Sequence, residues 1–179
     1  MYWDIDPNNT LVEFSVKHLM INVVKGRFNE VQGSIFFDTQ QPENSWIKAS
    51  VNAASISTGI EQRDMHLRST DFFDTGHYPT ITFESTRVRR TAMKSAVVIG
   101  NLTIRGITHT VNFQTDFNGY ARDPFSEGWR LGLLSVATID RRLFGMHFNQ
   151  VLDAGISLVG YDTRIELCIE AVKSDVRFP

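Results

Sequence analysis

At 179 residues, with 42% hydrophobic and 21% charged side chains, the chain has the length of one domain and is too apolar to be disordered. Its 18 basic against 20 acidic residues leave a net charge of −2. That balance argues against nucleic-acid and polybasic membrane binders, whose phosphate contacts need clustered Lys and Arg. The single cysteine, Cys168, excludes an internal disulfide and a multi-thiolate zinc site.

The opening Met1-Tyr2-Trp3-Asp4-Ile5-Asp6-Pro7 shows no basic leader and no apolar stretch, and no later window approaches the ~18 apolar residues of a membrane helix. A soluble protein with no visible signal peptide is expected. From Val12 onward, alternation with period two dominates. Val12, Phe14, Val16 and His18 alternate with Glu13, Ser15 and Lys17, and Val31, Gly33, Ile35 and Phe37 share the next face. After a turn at Gln41 to Asn44, Ile47, Ala49, Val51 and Ala53 form a row, followed after a break near Gly76 to Pro79 by Ile81 and Phe83. The longest helical candidate is Ile60 to Thr70, with Gly59 at its entry and Thr58 as its N-cap. Val98, Leu102 and Ile104 come next, then Val111, Phe113 and Phe117 against Thr110, Asn112, Gln114 and Asp116. Trp129 to Ile139 is rich in Leu and Val but poorly patterned, a short helical turn falls in Arg141 to His147, and Val159, Tyr161, Ile165, Leu167 and Ile169 alternate with charged residues to the end.

About eight antiparallel strands with one apolar face must pack as a sandwich or close as a barrel. Several runs reach ten residues, above the usual five or six, which suits an up-and-down barrel, and closure removes exposed edges. An eight-stranded barrel is wide enough to fill with side chains or to hold one small ligand. Periodicity gives those two outcomes equal standing.

The polar constellations read more plainly. Asp64 and His66 are two apart and so do not share a helix face; the preferred reading is that Arg63 and Asp64 tie a short helix to the barrel rim. The five histidines, His18, His66, His77, His109 and His147, form no metal-ligand spacing, and no metal is expected. There is no Gly-x-Ser-x-Gly elbow and no phosphate loop, and Cys168 falls on the polar face of a strand. His18 ends an apolar row, where a hydrogen-bonded core histidine is the ordinary outcome. Neither His18 nor His66 has a sequence neighbour suited to orienting it as a base.

The ordered motifs resemble the YceI-like family. Trp3-x-Ile5-Asp6-Pro7 with Val12-x-Phe14-x-Val16-x-His18-Leu19, then Gly26-Arg27-Phe28 and Gly33, are similar to its first strands. The most specific stretch is Ser55-Ile56-x-Thr58-Gly59-x-x-x-Arg63-Asp64-x-His66-Leu67, through Asp71-Phe72-Phe73-Asp74 and Tyr78-Pro79-x-Ile81-x-Phe83-x-Ser85. Gly100-Asn101-Leu102-Thr103-Ile104-Arg105-Gly106-Ile107-Thr108 and Val111 complete it, with Asp140-Arg141 and Phe144-Gly145-Met146 as a counterpart of the family's late loop.

The resemblance implies an all-β fold, an extended eight-stranded, lipocalin-like antiparallel barrel, holding a polyisoprenoid or isoprenoid quinone chain without a cofactor. It tips the balance toward the hollow barrel and toward a non-catalytic carrier. Phe14, Val16, His18, Phe37, Val51, Phe83, Leu102, Ile104, Val111, Phe113, Ile165, Leu167 and Ile169 are then expected to line the cavity. Arg63 and Asp64 are expected to fasten a mouth segment on which His66 sits and from which Leu67, Phe72 and Phe73 plug inward. Many relatives are exported to the periplasm; a chain starting almost at the first motif leans toward the cytoplasm. The alternatives are an enzyme acting on a small apolar substrate near His18 and His66, and an interaction module with a filled core. A homodimer stays open.

Overall fold

The computed structural model describes residues 1–126, 128–152, 155 and 158–174. Within them the alternating runs form eleven strand segments: β1 (Tyr2–Ile5), β2 (Leu11–His18), β3 (Asn22–Phe28), β4 (Val31–Phe36), β5 (Trp46–Asn52), β6 (Ile56–Ser57), β7 (Thr80–Arg90), β8 (Ser95–Ile104), β9 (Ile107–Arg122), β10 (Trp129–Asp140) and β11 (Val159–Lys173). The ring β1-β4-β5-β7-β8-β9-β10-β11 closes through β1–β11, giving an eight-stranded antiparallel barrel.

Three barrel strands are creased, which is why eleven segments make eight. β1 and β2 both pair with β11, as in Ile5↔Ala171 and Val12↔Leu167, and are separated around Pro7, which has no N–H for a ladder. β3 and β4 part at Asn29 and Glu30, and β5 and β6 at the 3-10 turn Ala53–Ser55. The creases align, so β4 pairs with β1 and β5 at one end while β3 pairs with β2 and β6 at the other. Beyond Asn52↔Thr80 the ladder to β7 stops, and helix α1 (Glu61–Arg68) stands near β6 there.

The closed end is packed solid. Trp3, Ile35, Leu131 and Ala171 are almost fully buried, and the Phe37 and Phe117 rings stack 5.0 Å apart. Outside this end the Arg130 guanidinium gathers Asp6 at 2.7 Å, Asp123 at 2.8 Å and Glu170 at 2.5 Å. Thr10 bonds the Glu170 backbone, so the crease at residues 6–10 is pinned to β10 and β11.

Two local expectations are corrected. Thr58 is not the helix N-cap; Ile60 occupies that position without a side-chain bond, because the Thr58 hydroxyl is engaged by Arg63 and Asp64. Trp129 to Ile139, poorly patterned in sequence, alternates strictly, with Leu131, Leu133, Ser135, Ala137 and Ile139 buried. The turn expected at Arg141 to His147 is a 3-10 segment, Arg141–Phe144, ended by left-handed Gly145.

Candidate functional site

Between the packed end and α1 the barrel is hollow. The cavity has a volume of about 510 Å³, within the range of roughly 300–1,000 Å³ that ligand sites occupy. Its wall follows β11 from Val159 to Ile169, roughly 25 Å along the axis for strands of this rise and tilt. Thr115 and Ser135, both buried and 2.9 Å apart through their hydroxyls, satisfy one another in that wall.

The lumen stays open because two phenylalanines lie along the wall rather than across it. Gly26 is the cross-strand partner of Phe14, and a Cβ there would come 2.4 Å from Phe14 Cζ. A Cβ at Gly100 would come 2.5 Å from Phe83 Cζ. Each glycine provides the flat space a ring occupies. Gly26→Ala should push the Phe14 ring inward and press on Thr58, whose Cγ2 lies 2.8 Å from the added Cβ; its overpacking cost of about 1–3 kcal/mol is expected to appear mainly as weaker ligand retention. Titration with a fluorescent prenyl probe, beside a melting curve, measures both; undiminished retention would show that Phe14 does not bound the ligand space.

Of the residues expected to line the cavity, Phe14, Val16, His18, Val51, Phe83, Leu102, Ile104, Phe113, Ile165, Leu167 and Ile169 are in its wall. Phe37 is not: it follows β4 and stacks on Phe117. Val111 is not either; it is buried opposite Gly100, over which the Phe83 ring lies. Sequence reasoning missed Phe28, Ile47, Ile81, Val98, Thr115 and Ser135, which extended alternation could have found. It also missed Met146, Phe148, Gln150 and Leu158, which come from a loop without periodicity.

The mouth is built around Thr58. Arg63 donates from Nε to its hydroxyl at 2.7 Å and from Nη2 to its carbonyl at 2.9 Å, and Asp64, 3% exposed, accepts from its N–H at 2.8 Å. Arg68 donates to the carbonyls of Ala54 and Ile56, and Arg105 to those of Thr70 and Phe72. So held, Leu67, Phe72 and Phe73 face the cavity along with Arg63 and His66; Asp64 does not. Arg63→Ala removes two charge-assisted bonds, a loss of about 1–3 kcal/mol. It is expected to accelerate release of a bound prenyl probe to acceptor vesicles more than it lowers Tm; release at the native rate would make the segment a structural clamp only.

His66 corrects one expectation. Its Nε2 lies 2.8 Å from Asp71 Oδ2, so an orienting carboxylate exists five residues on, and its ring meets Phe72 and Phe148 edge-on. His18 is not a core histidine but sits half-exposed in the cavity wall. Arg141, 4% exposed and also in the wall, donates to the carbonyls of Gly160, Met146 and Val159 and lies over the Tyr161 and Phe72 rings. Burial pulls its guanidinium below the ordinary range. Lys17, Arg63 and Arg141 bring positive charge to the mouth, with Glu13 as the carboxylate in the wall. Cys168 is half-buried, and burial raises its thiol, with Glu166 and Glu13 adding to the effect.

A closed antiparallel barrel with an apolar lumen reached from one end defines the class of small ligand-enclosing barrels. Within it, residues 3–171 match the YceI-like domain family, and the chain belongs to that family. A UPF0312 protein of Staphylococcus aureus is 35% identical over 165 residues, 92% of this chain and 94% of its own. Among solved structures, BcnA of Burkholderia cenocepacia superposes with a TM-score of 0.81 at 20% identity, covering 93% of this chain and 98% of that one. A polyisoprenoid binding domain from Saccharophagus degradans, implicated in plant cell wall breakdown, superposes with a TM-score of 0.70 at 14% identity, covering 96% and 98%.

Proposed function

We propose that this protein is a non-catalytic carrier that encloses the chain of a long isoprenoid lipid, a polyprenyl compound or an isoprenoid quinone, with its head group at the cationic mouth. The observation that carries the reading is the long apolar lumen whose basic side chains gather around one opening. Each buried CH₂ contributes about 0.8 kcal/mol, so ten carbons supply roughly 8 kcal/mol, from which the costs of ordering the chain are subtracted, and a longer chain supplies proportionately more. No charged anchor inside the lumen is required. The likeness to the polyisoprenoid binding domain from Saccharophagus degradans supports the same ligand class.

The His66–Asp71 pair favours a second reading, an enzyme acting on an apolar substrate. A base needs a substrate proton within hydrogen-bond reach, and this imidazole is flanked by phenyl rings rather than by a nucleophile. Organic extraction and mass spectrometry of the purified protein, with and without added isoprenoid quinone, separates the readings. A recovered, unaltered prenyl lipid in native and His66→Ala protein supports the carrier. Failure to take up any prenyl lipid overturns it, and a ligand whose mass changes only in the presence of His66 assigns an enzyme.

A further inference from the structure

The tip joining β2 to β3 has a composition that its position does not require. Three residues, Leu19 to Ile21, separate the paired His18 and Asn22, and left-handed positions in hairpin turns ordinarily go to Gly, Asn or Asp. Here Leu19 and Met20 hold φ of 53° and 59°, a region uncommon for side chains of this size. The turn is fixed by Ile21 N–H to the His18 carbonyl at 3.2 Å and by Leu19 N–H to the Leu158 carbonyl at 2.9 Å. It presents Met20, Ile21 and Val23 to solvent at 54%, 85% and 49% exposure. Val151 and Leu152, also exposed, lie just past Gln150, whose carbonyl accepts from the Leu158 N–H, so the two apolar segments are neighbours.

Charge at the tip departs from that of the whole chain. Ser15 to Phe28 contains Lys17, His18, Lys25 and Arg27 and no Asp or Glu, although the chain carries a net −2. Lys17, Lys25 and Arg27 form no ion pair among the described residues. Overall charge balance therefore excludes a polybasic protein but not a local cationic collar. Lys17, His18, Val24, Gln150 and Leu158 also line the cavity, which places the collar and the apolar tip at its mouth.

We infer that the β2–β3 tip docks this protein on an anionic phospholipid bilayer, inserting Met20, Ile21 and Val23 among the acyl chains while Lys17, opposite Val23, and Lys25 meet the head-group phosphates. Apolar residues below the head groups and cations level with them are the two components of interfacial binding. An apolar patch rimmed by polar side chains marks an interaction surface, and its cationic rim selects a negatively charged layer. Docked this way, the mouth faces the bilayer, so an apolar chain passes between membrane and lumen with little exposure to water.

This inference rests on the carrier reading for its purpose but is tested apart from it. Co-sedimentation is measured with vesicles of phosphatidylcholine alone and of phosphatidylcholine with a third phosphatidylglycerol. Uptake of an isoprenoid quinone from detergent solution is measured separately. The native protein is expected to bind the anionic vesicles, more weakly as salt rises. Met20→Ser with Ile21→Ser, both at solvent-facing positions, should weaken that binding at least tenfold. Lys25→Gln should weaken it about fivefold on anionic vesicles only, and quinone uptake from detergent should remain native in both variants. Native protein that fails to bind anionic vesicles, or a double serine variant that binds them undiminished, overturns the inference. Self-association lost in the double variant, without vesicle binding, assigns the tip to a second copy of the chain and also overturns it. Loss of quinone uptake by every protein, with vesicle binding intact, sinks the carrier reading and leaves the docking surface standing.

Discussion

Phe113→Asp is expected to abolish lipid retention. Phe113 is buried on β9, in the cavity wall, with its ring 5.2 Å from that of Phe83 in an edge-on arrangement. The substitution removes an aromatic contact and sets a carboxyl group facing an apolar ligand with no cation beside it. The lost packing costs about 3–5 kcal/mol, and burial of an unpaired carboxyl adds to it. Phe113→Leu keeps the apolar surface at a cost of about 1.5 kcal/mol or less and should retain lipid. Lipid per mole of protein after organic extraction, read beside near-ultraviolet circular dichroism, separates emptying from unfolding. A folded Phe113→Asp protein carrying the native amount of lipid would show that this part of the wall does not touch the ligand.

Arg130→Met is expected to produce the largest loss of stability outside the lumen, and one with a pH signature. Asp6 is held below the usual carboxylate range by its bond from Arg130 and then by Asn9. Asp123 is held there by the Phe125 N–H, then by the Ser126 hydroxyl and Arg130. Carboxyls whose folded values lie below their unfolded ones stabilise fully above about pH 4, and that contribution is lost as pH falls through the folded values. Removing Arg130 leaves Asp6, Asp123 and Glu170 close together without their shared cation. Tm should therefore drop by several degrees at pH 7, and the gap between native and variant should narrow as the pH is lowered from 4 toward 2. A pH-independent gap would assign Arg130 a packing role through its aliphatic stem.

Strand existence was legible because each row from Val12 to Phe37 and from Val98 to Phe117 repeats at the pleat period. β10 was not, because its inward face carries Ser135 and Ala137 while its outward face carries Leu134 and Val136. Small side chains turned inward are what a hollow barrel needs, and they erase the contrast on which a pattern depends. Hollowness itself was illegible for a related reason: it depends on which ring lies over which glycine, Phe14 over Gly26 and Phe83 over Gly100, and those pairs join different strands. Thr58 looked like a cap because its hydroxyl suits one, yet that hydroxyl accepts from the Arg63 guanidinium and donates to the Asp64 carboxylate, which leaves it unavailable to a helix amide. Asp71 reaches His66 only because the chain after α1 turns back at Ser69, where the Phe72 and Asp74 amides bond the Ser69 carbonyl.

The aligned creases have a consequence for how the barrel breathes. A barrel that is laddered all the way round dilates only by breaking rungs between adjacent strands. Here the β5–β7 ladder ends at Asn52↔Thr80, and above that point the neighbour of β6 is α1, held by Thr58, Arg63, Asp64 and Arg68 rather than by strand pairing. The wall is thus already slit at the mouth, and the slit is buttoned by side chains. Sub-global opening draws on those few bonds while the β8–β9–β10–β11 ladders stay intact, so the molecule divides into a stiff cup and a yielding rim.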